Sequence, residues 1–289
     1  ILATEGHQGL WNNFSEGPGT GTSLAAAAGV KLRGMSNTSK HRLTVRGTNL
    51  HLPLDILSVG GRYRKESGED VSPGESEPGE CYVLDLRTLD KDAKIWYAQA
   101  IRRIEERTGL DITLEVIPLM ESVAFTLGGA PVDSDGRVTF KSDTMWFTGL
   151  YAAGRSANTG MHGSGYLSGN LQLEDLVTGE AAGTHAGNWS SKAEFGNSDK
   201  INKEVIKKSK KLGKYNSQQG TSVGVISKKV SDIAKNIDGN NQSIMAKIKE
   251  LKETQISLSD TSKVMNTELI YAIQTDAMLS ILESMVKTG

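Results

Sequence analysis

The chain has 289 residues, 33 basic and 34 acidic side chains for a net charge of −1, 37% hydrophobic residues and 32 glycines. That length suits one large or two ordinary domains of roughly 100–200 residues each, and no uninterrupted apolar run comes near the roughly 20 residues that span a bilayer. The single cysteine, Cys81, excludes an internal disulfide, and one thiolate does not supply the several ligands of an iron-sulfur cluster or a structural zinc.

In chain order, residues 1–4 read as the end of a buried strand, with no initiator Met, basic leader or cleavage signal before them, so the chain reads as a fragment. Residues 23–30, with four consecutive alanines, predict a helix packed closely on a sheet. Residues 36–80 are polar and turn-rich, and the acidic stretch 66–80 reads as a solvated loop and not as a metal site. A strand is expected at 81–86. An amphipathic helix follows at 90–108, with Ile95, Ala98, Ile101 and Ile104 on its apolar positions. Further strands are expected at 111–117, 124–127 and 149–153, then a helix at 170–186.

Past a linker at 187–198 come four helix patterns. Ile201, Val205, Ile206 and Leu212 mark the first; Val225, Ile226, Ile233 and Ile237 the second; Ile244, Ile248 and Leu251 the third. The last, 266–287, carries Leu269, Ile273, Leu279, Leu282 and Val286. Such stripes predict helices that bury them by packing together.

Charge divides the chain. From Ser198 onward there are fifteen Lys, no Arg and ten acidic residues, a net +5, which leaves −6 for the rest. Glycine concentrates in the first part, at Gly17, Gly19 and Gly21, Gly60 and Gly61, Gly128 and Gly129, and from Gly160 to Gly169. Glycines beside strand and helix patterns are what a nucleotide-binding α/β fold uses for tight turns and close backbone approach. In the Lys-rich part acidic residues are interleaved, and only Tyr215 and Tyr271 could stack on a base, so a solvated helical exterior is expected rather than a nucleic-acid surface.

Several segments, in order, resemble the flavoprotein subunit of succinate dehydrogenase and fumarate reductase, a family that includes L-aspartate oxidase. Leu2-Ala3-Thr4-Glu5-Gly6 resembles its A-T-G-G strand end, and Gly19-Thr20-Gly21-Thr22-Ser23-Leu24-Ala25 its G-D-G helix start. Tyr82-Val83-Leu84-Asp85-Leu86-Arg87 is similar to the capping-domain strand V-Y-L-D-L-R, and Phe125-Thr126-Leu127-Gly128-Gly129 to Y-T-M-G-G. Gly149-Leu150-Tyr151-Ala152-Ala153-Gly154, then His162-Gly163 through Gly169-Asn170, resembles G-L-x-A-A-G-E and H-G-A-N-R-L-G-G-N-S-L. Met265-Asn266-Thr267-Glu268-Leu269 resembles the N-T-E-L helix.

The fold class implied is an α/β flavin-binding domain remnant with a capping-domain portion and an all-α C-terminal helical domain. The expected divisions are 1–35 for part of the FAD-binding domain, 36–118 for a capping-like region, 119–187 for the FAD-binding return segment and 198–289 for the helical domain. The resemblance implies succinate oxidation or fumarate reduction, with FAD as cofactor if the N-terminal part that Ile1 lies downstream of is present. It implies a dicarboxylate substrate and an iron-sulfur partner subunit, and places the protein in the cytoplasm or on the cytoplasmic face of a membrane, reached only through partners. No nucleic acid is expected. A non-catalytic scaffold that keeps the fold is the alternative, and an L-aspartate oxidase a further one.

By resemblance the catalytic candidates are His41, matched to the His of Q-F-H-P-T, and His162. The flavin candidates are Ala3, Thr4, Gly19, Gly21, Gly154, Gly169, Asn170 and Leu171. Other matched positions have changed: the clamping His falls on Ala124, the clamping Arg on Tyr166, the proton-transferring Arg on Leu57 and the acid of A-A-G-E on Arg155. A guanidinium donates hydrogen bonds only and does not replace a carboxylate that accepts them. Beside these readings stand plainer ones: His41 as a solvated residue between Lys40 and Arg42, His162 as a backbone partner at a turn, Tyr151 and Tyr166 as packing residues. His185 has no second ligand nearby in sequence, and Gly163-Ser164-Gly165 lacks the G-K-[ST] of a phosphate loop. No metal site is expected.

Overall fold

A computed structural model describes residues 1–12, 17–77, 79–163, 166, 169–194, 196–215, 219–237, 241–262 and 264–288, apart from the side chains of 211, 214 and 288. In chain order the elements are α1 (Thr20–Ala27), β1 (Thr38–Val45), β2 (Arg62–Lys65), β3 (Tyr82–Asp85), α2 (Lys91–Trp96), α3 (Ala98–Thr108), β4 (Ile117–Thr126), β5 (Ala130–Pro131), β6 (Arg137–Phe140) and β7 (Met145–Tyr151). They continue with β8 (Ala157–Asn158), α4 (Asn170–Ser190), α5 (Ser198–Lys214), β9 (Thr221–Ser222), α6 (Val223–Lys235), α7 (Asn241–Glu253), β10 (Ile256–Ser257) and α8 (Thr267–Thr288). Contacts gather the chain into two compact units, one of Ile1–Ser39 with Phe125–Gly289 and one of Lys40–Ala124.

The Lys40–Ala124 unit is built on a sheet of order β1-β4-β3-β2, antiparallel where β2 meets β3 and β3 meets β4. Leu43, Val45, Leu52, Ile56, Leu84, Leu86, Ile104 and Ile117 form its core, with Tyr63 stacked on Tyr82 at 4.9 Å. Residues 36–80 therefore hold two strands where sequence alone predicts turns. Asp85 is 2% exposed and accepts hydrogen bonds from Arg64 Nη1 (2.9 Å), Arg87 Nη2 (2.7 Å) and the Arg87 N–H (3.1 Å). Those Arg87 and Arg64 contacts hold its carboxyl well below the ordinary carboxylate range. The expected strand at 111–117 is mostly turn, because Asp111 Oδ1 takes the N–H (2.8 Å) and hydroxyl (2.6 Å) of Thr113 and bends the chain. The helix expected at 90–108 breaks at Tyr97 into α2 and α3 and leaves Ile95 exposed.

In the other unit Leu2 makes a parallel bridge to Ala152, and α1 packs on α8. Gly19, at φ 70°, lets that packing happen: a Cβ there would meet Ile281 Cδ1 at 2.5 Å and His7 Cβ at 2.8 Å. Asn266 caps α8, its Oδ1 accepting from the Leu269 N–H at 2.8 Å. Ala272, Met278, Leu279, Ile281, Leu282 and Met285 of α8 form a core with Ile226 and Val230 of α6 and Ile248 and Leu251 of α7. By length and hydropathy alone α8 would suffice to cross a membrane, a length the sequence reading did not credit, yet its inner face is this core. Three expectations for the helices need correction. Val225 of α6 is 48% exposed and Ile273 of α8 43%, and α5 buries none of its stripe: Ile201, Val205, Ile206 and Leu212 are all exposed.

Candidate functional site

The residues matched to a flavin site in the first unit converge on the start of α1, the turn after β7 and the first turns of α4. Ala3 and Thr4 follow Leu2, which bridges Ala152 just past β7. The Thr4 N–H donates to Ser156 Oγ (3.0 Å), and the Gly21 N–H donates to Thr4 Oγ1 (2.8 Å). A Cβ on Gly21 would lie 2.7 Å from both Ser156 Oγ and Thr4 Oγ1. Thr4, Gly21 and Ser156 thus form one half-buried knot whose polar groups engage one another. Glu5, which stands for a glycine of the family pattern, accepts the Thr20 N–H at 3.2 Å and sets a carboxylate on the α1 N-terminus.

Gly154 opens the turn after β7 at φ 56°, and its N–H donates to Thr178 Oγ1 of α4 (3.0 Å). A Cβ there would meet Asp175 Oδ1 at 2.8 Å. Gly169, at φ 88°, is the N-cap of α4 and makes no side-chain cap. The first N–H groups of the helix, at Asn170 and Leu171, carry the dipole's positive end. Leu171 itself is 5% exposed and anchors this end of the helix.

Around this backbone the side chains pair in ways the sequence did not reveal. Arg155 Nε lies 3.9 Å from Asp175 Oδ2, and the guanidinium sits 5.6 Å from the centre of the Phe125 ring. Asp175 Oδ1 is buried without a hydrogen-bond partner, and burial, opposed by Arg155, raises its pKa. His162 Nε2 is at ion-pair distance from Glu174 Oε2, 3.1 Å, but off the hydrogen-bonding direction. Thr159 Oγ1 donates to Glu174 Oε1 (2.6 Å). Tyr166 stands edge-on to both Phe125 (4.5 Å) and His162 (5.9 Å), as a packing residue would. Ser164, Gly165, Leu167 and Ser168 of the same segment lie outside the described residues.

A fully buried histidine carries no mark in the sequence. His7 is 0% exposed; its Nε2 donates to the Met35 carbonyl at 3.0 Å, and its Nδ1 is buried without a partner. That pattern assigns the neutral Nε2–H tautomer, and burial lowers its pKa to about 4 against the smaller opposing effect of the Met35 carbonyl. No sequence signal marks it, since burial of residue 7 depends on Met35 and Thr126. His185 likewise gains a partner only in the fold, through Tyr151 Oη at 2.9 Å from its Nδ1.

His41 belongs to the other unit. It is half-buried, its ring is 5.2 Å from that of His51, and burial followed by the His51 charge lowers its pKa to about 4. Its Nδ1 is buried without a partner, so it is not the solvated residue that Lys40 and Arg42 suggested. Those neighbours turn to Glu121, with Lys40 Nζ at 2.6 Å. His51 Nδ1 meets Thr44 Oγ1 at 2.9 Å, and Thr44 Oγ1 meets Ser122 Oγ at 2.7 Å. Ala124, at the end of this β4 face, presents no polar group.

The fit to a flavin follows from these atoms. Among the described residues no side chain caps the α4 N-terminus, and its N–H groups suit a carbonyl. The unpartnered Asp175 Oδ1 is a buried acceptor beside Gly154, of the kind that Arg155 no longer supplies. Backbone and acceptor therefore suit the cofactor. The positions matched to the dicarboxylate clamps, Ala124 and Tyr166, hold neither a charge nor an imidazole. Among the described residues no group of three or more His, Cys, Asp or Glu is arranged to hold a metal.

Residues 70–171 match the model of the FAD binding domain. The fumarate reductase flavoprotein subunit of Haemophilus influenzae is 29% identical over 323 residues, an alignment covering 94% of this chain and 52% of that protein. The L-aspartate oxidase of Yersinia pestis is 33% identical over 103 residues, covering 36% of this chain and 18% of that one. A quinol-fumarate reductase solved with menaquinol molecules superposes with a TM-score of 0.82 at 23% identity, covering 99% of this chain and 57% of the other, which shows the fold. The chain spans about half the length of the fumarate reductase relatives it matches.

Proposed function

We propose that this chain is a partial member of the flavoprotein family of succinate dehydrogenase and fumarate reductase, and that its 289 residues hold FAD without turning over a dicarboxylate by themselves. The observation that carries this reading is the split in the site. The groups suited to a flavin persist in the α4 N-terminus and Asp175 Oδ1, while the matched clamp positions are Ala124 and Tyr166. The residues that would hold the cofactor are Gly169, Asn170 and Leu171 through their backbone, Gly154 through its close approach, and Asp175 as acceptor. Thr4, Gly19 and Gly21 keep that frame in place. FAD, when bound, supplies two-electron redox chemistry. His162, 3.1 Å from Glu174 Oε2, and Arg155, 3.9 Å from Asp175 Oδ2, stand beside the site as its polar groups.

The oxidoreductase reading stands second: succinate oxidation or fumarate reduction, with electrons passed to an iron-sulfur partner subunit at a membrane face. The retained His41, with its unpartnered Nδ1, favours it. One titration separates the two. The purified chain is mixed with FAD, binding is followed by flavin fluorescence, and succinate is then added, with fumarate added to a chemically reduced sample. Flavin binding without bleaching by succinate or reoxidation by fumarate supports the cofactor-holding reading. Bleaching or reoxidation favours the oxidoreductase, and no binding of flavin overturns both for this chain.

A further inference from the structure

The helix α5 has no place in either reading. Every described residue of its 17 is exposed, including Ile201 at 58%, Val205 at 56%, Ile206 at 55% and Leu212 at 40%. Seven lysines and two acids lie between Ser198 and Lys214, with no arginine and no aromatic residue. At 3.6 residues per turn, Ile201, Leu212, Val205 and Ile206 fall in an arc of about 140° together with the small polar residues Ser198, Asn202 and Ser209. Lys200, Lys203, Lys207 and Lys210 fall in a separate arc of about 80° on the other side. The N-terminus is capped by Asn197, whose Oδ1 accepts the Asp199 N–H at 2.8 Å, so the helix is defined at its start without help from a core.

We propose that α5 is an interfacial helix that lies on an anionic lipid surface, its apolar arc in the headgroup boundary and its lysines against the phosphates. Charge complementarity selects this occupant. The helix concentrates a net +5 in about 25 Å of length, while the sequence before it is net negative. An apolar arc flanked by lysines is what such a surface takes up. A nucleic acid would use the lysines but has nothing for the aliphatic arc, and α5 offers no ring for stacking. This inference is independent of flavin binding, and it changes the expectation that the chain meets a membrane only through partners.

The test is co-sedimentation of the full chain with phosphatidylcholine vesicles and with vesicles containing phosphatidylglycerol. Three proteins are compared: wild type, Lys203→Gln/Lys207→Gln/Lys210→Gln, and Ile201→Ser/Val205→Ser/Leu212→Ser. These side chains make no core contact, so thermal melting of each variant should match wild type and serves as the folding control. Wild type should bind the anionic vesicles, weaken as salt is raised, and bind neutral vesicles far less. The lysine variant should lose affinity on the order of a hundredfold, and the serine variant should also fall by about tenfold or more. Three outcomes overturn the proposal: no binding to anionic vesicles, equal binding to neutral ones, or a serine variant that binds like wild type, which would mean charge adsorption alone. Retention on duplex DNA with no uptake by vesicles would assign the lysines to nucleic acid and overturn it as well.

Discussion

His7 places a titratable ring inside the core, and its burial has a sign. The folded pKa is about 4 against 6.5 for an ordinary histidine, so the unfolded chain binds the proton more readily between those values. The contribution to stability is complete above about pH 6.5 and is lost as pH falls through 4, amounting to at most about 3 kcal/mol. His41, lowered to about 4 as well, adds a slope of the same direction. The expected outcome for His7→Gln, whose amide still donates to the Met35 carbonyl, is a flatter fall in the urea midpoint between pH 7 and pH 4. An unchanged slope would show that His7 does not titrate with unfolding. None of this was visible in the residues around position 7, because its partners Met35 and Thr126 are distant in sequence. Glycines were the opposite case: the resemblance singled out Gly19, Gly21, Gly154 and Gly169, and each has a positive φ or a neighbour within 2.8 Å of where a Cβ would lie.

At the level of elements the same contrast recurs. Periodicity identified α6, α7 and α8 as helices that bury a stripe, and Ile226, Ile248 and Leu282 are 1%, 0% and 0% exposed. It described α5 equally well, yet a pattern states which face is apolar and not whether anything covers it. The strand misread at 111–117 failed for a local reason, since Asp111 competes for backbone hydrogen bonds that β-forming residues such as Ile112 and Thr113 would otherwise give to a ladder. In the site, the substitution at Arg155 was legible but the answering Asp175 was not. That pairing needs α4 laid against the turn after β7. The α1 knot offers a measurement of how tightly that frame is built. Gly21→Ala would set its Cβ 2.7 Å from two hydroxyl oxygens of the Thr4–Ser156 pair, and a loss of about 1–3 kcal/mol in unfolding free energy is expected. Guanidinium melts of the two proteins measure it, and a loss below about 0.5 kcal/mol would mean the knot yields.

For the whole molecule, the division into units is discontinuous: Lys40–Ala124 is one unbroken stretch, and the other unit is assembled from residues on both sides of it. The inserted stretch has its own sheet and its own core around Leu84 and Ile117. Residues 40–124 expressed alone should therefore unfold in a single cooperative transition with strand signatures in circular dichroism. A featureless melt would show that the stretch depends on the rest of the chain.

The bridge between Leu2 and Ala152 and the bond between Thr4 and Ser156 acquire a temporal meaning from this arrangement. A ribosome adding about 5–20 residues each second delivers the partner of Leu2 on the order of ten seconds after Leu2 itself. During that interval Leu2 lacks its partner Ala152, whereas the inserted sheet is already whole. Residues 40–124 are thus complete before Leu2 and Thr4 meet Ala152 and Ser156, and the contacts that close last are those around the proposed flavin site.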